Sequence, residues 1–112
     1  MRWYLSGPMT GLPDLNIPAF HAAAARIRAA GHDVLNPAEL CPPGLSWDQA
    51  MAIDLAALDT ADGVITLPGW QRSRGAQIEV KTARQRGLPV HALHDWLHTR
   101  TFSKGAPELE YE

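Results

Sequence analysis

Apolar and polar positions along this chain switch between a short and a long period, and the switching predicts an order of strands and helices. Arg2-Trp3-Tyr4-Leu5-Ser6 reads as a first strand. Asn16 then stands as an N-cap with Pro18 in the first helical turn, and Phe20, Ala23, Ala24, Ile27 and Ala30 recur at helical spacing until Gly31 ends the helix. His21 and His32, near the two ends of that helix, read as solvated side chains. Asp33-Val34-Leu35-Asn36 is a short second strand stopped by Pro37. The proline-rich stretch from Pro37 to Gly44 is either the cover of a pocket or a stiff crossover. Ser46-Trp47-Asp48-Gln49 fits a capping box, and the helix it opens runs to about Asp59 with Trp47, Met51, Leu55 and Leu58 as its apolar stripe. Gly63-Val64-Ile65-Thr66-Leu67 is a buried third strand, followed by a Pro68-Gly69-Trp70 loop and a helix from about Arg74 to Arg86. Leu88 to Leu93 is a fourth strand, with Pro89 at a place where no ladder N–H is needed. Residues 94–112 hold one short apolar group, Trp96-Leu97, and read as a tail or packing segment.

This βαβαβαβ order predicts an α/β fold: a flavodoxin-like (Rossmann-like) three-layer sandwich on a parallel sheet of about four strands, order 2-1-3-4, within residues 1–93. In such sheets ligands bind at the carboxyl ends of the strands, where the strand order reverses. That point lies between the first and third strands, where the Ser6–Gly11 and Pro68–Arg74 loops both emerge.

Two acidic residues break the pattern. On the third helix Gln77, Lys81, Arg84 and Gln85 share one broad arc, and Glu79 falls nearly opposite, beside Ala76 and Ala83. On the second helix Asp54 falls in the middle of the apolar stripe, near Met51 and Leu58. A carboxylate on an inward face is costly unless it is paired or used. A surface Glu on a slightly misphased helix, or a buried Asp that pairs with an Arg or caps another helix, are the structural alternatives. The loop Ser6-Gly7-Pro8-Met9-Thr10-Gly11 has the glycines and hydroxyls to bring backbone N–H groups to an anion, or it is simply a strand-to-helix connection.

Composition narrows the partners. The 112 residues suit one domain with one core, and 46% hydrophobic with 20% charged residues is ordinary globular composition. A net charge of -2 with interspersed signs gives no basic stripe for nucleic acid. Cys41 is the single cysteine, so no internal disulfide forms, and it has no neighbour at metal-ligand spacing. No stretch has the length of a membrane span or the form of a signal peptide, and the expected location is the cytoplasm.

Tyr4-Leu5-Ser6-Gly7-Pro8-Met9-Thr10-Gly11, Asp54 in Ile53-Asp54-Leu55, Ala61-Asp62-Gly63-Val64-Ile65 and Gly75-Ala76-Gln77-Ile78-Glu79 together resemble the nucleoside 2-deoxyribosyltransferase superfamily, especially its short phage and bacterial members. The resemblance covers most of residues 3–93. It implies cleavage of the N-glycosidic bond of a deoxynucleoside or nucleoside 5′-monophosphate, by hydrolysis or base transfer. It makes Glu79 the nucleophile at C1′, places Asp54 beside the sugar and the leaving base, and gives Tyr4 the task of orienting the nucleophile. Ser6, Gly7, Pro8, Met9, Thr10 and Gly11 would hold a 5′-phosphate, together with Ser73, Arg74 and Gly75 at the helix start and Arg72 beside it. The chain differs from the superfamily at Gln71-Arg72-Ser73-Arg74, where transferases commonly carry an acidic residue, and at Val80-Lys81, where a glycine is usual. The scheme needs no metal and no organic cofactor. A non-catalytic nucleotide-binding or sensing module of the same fold is the second reading, and a dimerisation domain the third. A homodimer is expected, with Trp70, Ile78 and the segment around Trp96 as apolar contacts.

Overall fold

Four strands pair in parallel in the order β2-β1-β3-β4 in a computed structural model, which describes residues 1–105 and side chains through Thr99. They are β1 (Arg2–Ser6), β2 (Asp33–Leu35), β3 (Gly63–Thr66) and β4 (Val90–Ala92). The helices are α1 (Ile17–Ala29), α2 (Pro37–Leu40), α3 (Trp47–Leu58), α4 (Arg74–Gln85) and α5 (Leu93–Gly105). The fold is the α/β architecture with the 2-1-3-4 sheet that the alternation of periods predicts. Among the described residues no helix is long and apolar enough to cross a membrane.

The register of β1 against β3, with Tyr4 beside Val64 and Ser6 beside Thr66, determines which side chains share a face. Trp3 and Leu5 point into a core shared with Phe20, Ala23 and Ile27 of α1 and Trp96 of α5. Tyr4 points the other way, into a core with Leu58 of α3 and Ala83 of α4. Helices therefore cover both faces of the sheet, and the odd–even alternation along β1 sends its two hydroxyl side chains to the α3–α4 side. Gly63 is required by packing: a Cβ there would stand 2.5 Å from the Trp3 ring.

Several local expectations change. Asn16 occupies the N-cap position of α1 but does not cap it. Asp14, Leu15 and Asn16 all have left-handed backbones (φ 52, 53 and 60°), and an N-cap side chain needs an extended one to reach back to the helix. Asn16 instead donates to the Pro8 carbonyl at 2.9 Å, which ties the first loop to α1. The proline-rich connection contains α2, capped by Asn36 and fastened to α1 by an Arg28–Glu39 ion pair at 2.7 Å. The Ser46–Gln49 capping box is present in full. The fourth strand is only three residues long, because Leu93 already begins α5.

Within the segment 94–112, Trp96 is buried, edge-on to Trp3 and to His32. Trp96 is thus a core residue and offers no surface for a partner, and His32 is half-buried between aromatic edges rather than solvated. Residues 106–112 of that segment lie outside the described residues.

Candidate active site

Tyr4 and Ser6 lie two apart on β1, so both side chains leave the same face of the sheet, and both reach one carboxyl group. Tyr4 Oη donates to Glu79 Oε2 at 2.9 Å, and Ser6 Oγ donates to Glu79 Oε1 at 2.7 Å. Glu79 comes to meet them because Ser73 caps α4, its Oγ accepting the Ala76 N–H, and Ala76, Glu79, Val80 and Ala83 form the helix's buried face. Glu79 is 5% exposed and Asp54 7%, so both carboxyls sit on the inward arcs that the sequence marks. The misphased-surface alternative for Glu79 is thereby excluded.

Asp54, on the inward face of α3, accepts a hydrogen bond from the Cys41 thiol, Sγ to Oδ1 at 3.3 Å. Burial pushes the Asp54 carboxyl above its usual range, opposed by the hydrogen bond from Cys41 and by the nearness of Glu79 and Tyr4. Burial also raises Glu79, to about 7; the Ser6 hydroxyl opposes this and the neighbouring Asp54 charge adds to it. Tyr4 is held well above its ordinary value by burial and by the two carboxylates, so it is a neutral donor. Burial raises both carboxyls and the Asp54 charge raises Glu79 further, which disfavours ionising both at once, so the pair is expected to hold one proton between them near neutral pH.

The pair lies at the floor of a cleft of about 900 Å³ at the carboxyl ends of β1 and β3. Of the residues singled out in the sequence, Gly7, Pro8, Met9 and Thr10 line it from one side, and Arg72, Ser73, Arg74 and Gly75 from another. Tyr4 and Ser6 stand behind Glu79, so Ser6 belongs with the carboxyl pair rather than with the loop it precedes. Gly11 is not on the cleft wall and turns the loop at φ +83°. Gly7 is needed for close approach, since a Cβ there would come within 2.8 Å of Leu67 Cβ.

The Pro37–Gly44 connection is the cover of a pocket: Pro37, Cys41, Pro42, Pro43 and Gly44 all face the cleft. Trp47 departs from the core position expected of it. It is 37% exposed at the cleft wall, with the Arg74 guanidinium 4.3 Å above its ring, because Gly75 opens space at the start of α4 and Trp47 Nε1 lies only 3.8 Å from where a Cβ there would stand. Cys41 is the site residue that sequence reasoning passed over, since a single cysteine in a loop carries no local sign of the helix it will meet. Among the described residues no three His, Cys, Asp or Glu side chains gather closely enough to hold a metal ion.

Fold and cleft together define an α/β protein with a pair of buried carboxyls at the switch point of a parallel sheet. The chain belongs to the family described as a domain of unknown function, DUF4406, whose sequence profile matches residues 1–92. The match ends at the last residue of β4. No curated protein matches the chain.

Proposed function

We propose that the cleft cleaves the N-glycosidic bond of a deoxynucleoside or its 5′-monophosphate, with Glu79 as nucleophile. The observation that carries the proposal is the buried Glu79 carboxyl held by two hydroxyl donors, Tyr4 and Ser6, one on each oxygen, with a second buried carboxyl, Asp54, in the same cleft. Two donors fix the plane of the carboxylate, so one oxygen is presented to a sugar carbon without a search over rotamers.

The chemistry follows the logic of two carboxyls at one anomeric centre. A Glu79 oxygen bonds to C1′ as the bond from C1′ to the base nitrogen breaks, and Asp54 delivers the shared proton to the departing base. The developing oxocarbenium charge is stabilised by the adjacent carboxylate. Water or a second base then displaces Glu79 from C1′, giving hydrolysis or base transfer. A raised pKa suits Glu79 to this work only in the tautomer whose proton has moved to Asp54.

A 5′-phosphate has two candidate partners in the cleft. The N–H groups of Arg74 and Gly75 occupy the first two helical positions of α4, where no intrahelical acceptor exists, and the helix dipole favours an anion there. Arg74 and Arg72 bring positive charge to the cleft, which Gly7, Pro8, Met9 and Thr10 also line. The same charge supports a second reading, a module that binds or senses nucleotides without turnover.

Incubation with a panel of deoxynucleosides and their 5′-monophosphates separates the readings. Free base is the expected product, with the monophosphate preferred over its nucleoside and the preference reduced in an Arg72→Ala, Arg74→Ala double variant. Saturable binding without free base would support the sensing module instead.

A further inference from the structure

We infer that Cys41 is a positioning residue whose thiol decides which of the two carboxyls carries their shared proton. Its effect on turnover rests on the glycosidic reading above; its effect on the proton rests on the contact between the thiol and Asp54 and on the burial of both carboxyls in one cleft.

The thiol has two acceptors within reach. Asp54 Oδ1 is 3.3 Å from Sγ and the Ala50 carbonyl 3.9 Å. The Ala50 carbonyl lies four residues before Asp54 within α3, so it already accepts the helical N–H of Asp54. The nearer, charged acceptor is therefore the thiol's partner. The groups that face Asp54 are Cys41 from the loop after α2, Glu79 from α4 and Tyr4 from β1. Tyr4 has one O–H, and it is directed to Glu79 Oε2. Glu79 competes with Asp54 for the proton. Cys41 is thus the donor whose carboxyl partner is Asp54 alone.

A donor on Asp54 favours its ionised form and leaves the proton on Glu79. Burial, the hydrogen bond to Asp54 and the nearby carboxylates push the thiol up to about 12, so Cys41 acts as a donor and never as a thiolate at neutral pH. A thiol is a weak donor. A hydroxyl in its place would hold Asp54 ionised more firmly, and a methyl group would release it. The weak donor keeps the two tautomers close in energy, so the proton can cross from Glu79 to Asp54 when Glu79 must attack. No bond other than O–H is made or broken in that transfer.

The test is a titration of the carboxyl carbons of Asp and Glu by NMR in wild type, Cys41→Ala and Cys41→Ser, without substrate. The proton affinity of Asp54 is expected to fall in the order Ala, Cys, Ser, with Glu79 moving in reverse. The step from Ala to Cys should be about one pH unit, a tenfold change in proton affinity, as for a hydrogen bond to a charged group. Identical titrations in the three proteins, or shifts without that order, overturn the inference. A second readout uses the unaltered cysteine: the S–H stretch should move to higher frequency in Asp54→Asn, where the acceptor is neutral, and an unmoved band also overturns it.

Graded titrations in a protein that releases no base would leave this inference standing and defeat the glycosidic reading. Base release with identical titrations would do the opposite. If both readings hold, Cys41→Ser lowers kcat with KM unchanged and displaces the pH–rate profile in step with the titration.

Discussion

At the scale of single residues, Glu79 is the proposed nucleophile, and its burial has a measurable cost. Its pKa rises from an unfolded value of 4.5 to about 7 in the fold, chiefly through burial. Between those two values the unfolded chain has lost the proton and the folded chain still holds it, so stability falls as pH rises through this window and levels off above it. The window corresponds to roughly 3 kcal/mol for Glu79 if it titrates alone. Glu79→Gln cannot ionise and should not show this decline. Thermal melts from pH 4.5 to 8 should therefore find the variant gaining on wild type as pH rises; parallel curves would show that the carboxyl is not held protonated. Both inward carboxyls were legible in the sequence, because a charge on an apolar arc contradicts the period around it. Ser6 was legible as the end of the first strand and the start of a loop, not as a partner of Glu79. Its link to Glu79 spans 73 positions of sequence and depends on the β1 register, which no local pattern records.

At the scale of elements, the site is built where β1, β3 and α4 come together, and glycine governs how closely they approach. Gly7→Ala would place a Cβ 2.8 Å from Leu67 Cβ, a contact with the stem of a buried side chain that cannot swing aside. The expected loss is about 1–3 kcal/mol, the usual cost of overpacking, with the Pro8–Thr10 loop displaced from the cleft. Denaturant titration measures the first effect, and binding of a nucleoside monophosphate the second; a variant of unchanged stability would show that the loop and β3 are less tightly opposed.

The strands and the three long helices up to α4 were legible because each has a clean period and a marked start, the Ser46 capping box above all. Helix α5 was not, because its first two turns, through Thr99, offer only Leu93, Trp96 and Leu97 to a core among polar positions. Trp47 reads as core for the same reason that it is not core: its spacing fits the stripe, but at the first turn of α3 the neighbouring element is the open start of α4. The covering role of residues 37–44 was one of two readings left open, since proline-rich composition describes stiffness and not position.

At the scale of the whole molecule, the two faces of the sheet do different work. The α1–α5 side is an apolar core closed by Trp96, and the α3–α4 side holds the carboxyl pair; the cleft lies at the strand ends, where Ile17 and Phe20 of α1 also line it. With Trp96 buried, a partner surface has Trp70 and Ile78 as its half-buried apolar residues, and Leu12, Leu15 and Trp47 stand exposed by 40, 51 and 37%. A symmetric homodimer is the expected assembly. Light scattering should return twice the 12.2 kDa chain mass at micromolar concentration, and a monomer across that range would remove this part of the account.

The central claim is that Glu79 attacks the sugar carbon, and its most direct measurement is release of free base by wild type and by Glu79→Gln, followed chromatographically over deoxynucleosides and their 5′-monophosphates. The account requires wild type to release base from at least one of them and the variant to lose that release, with its circular dichroism unchanged. Base released equally by a correctly folded Glu79→Gln protein would contradict it.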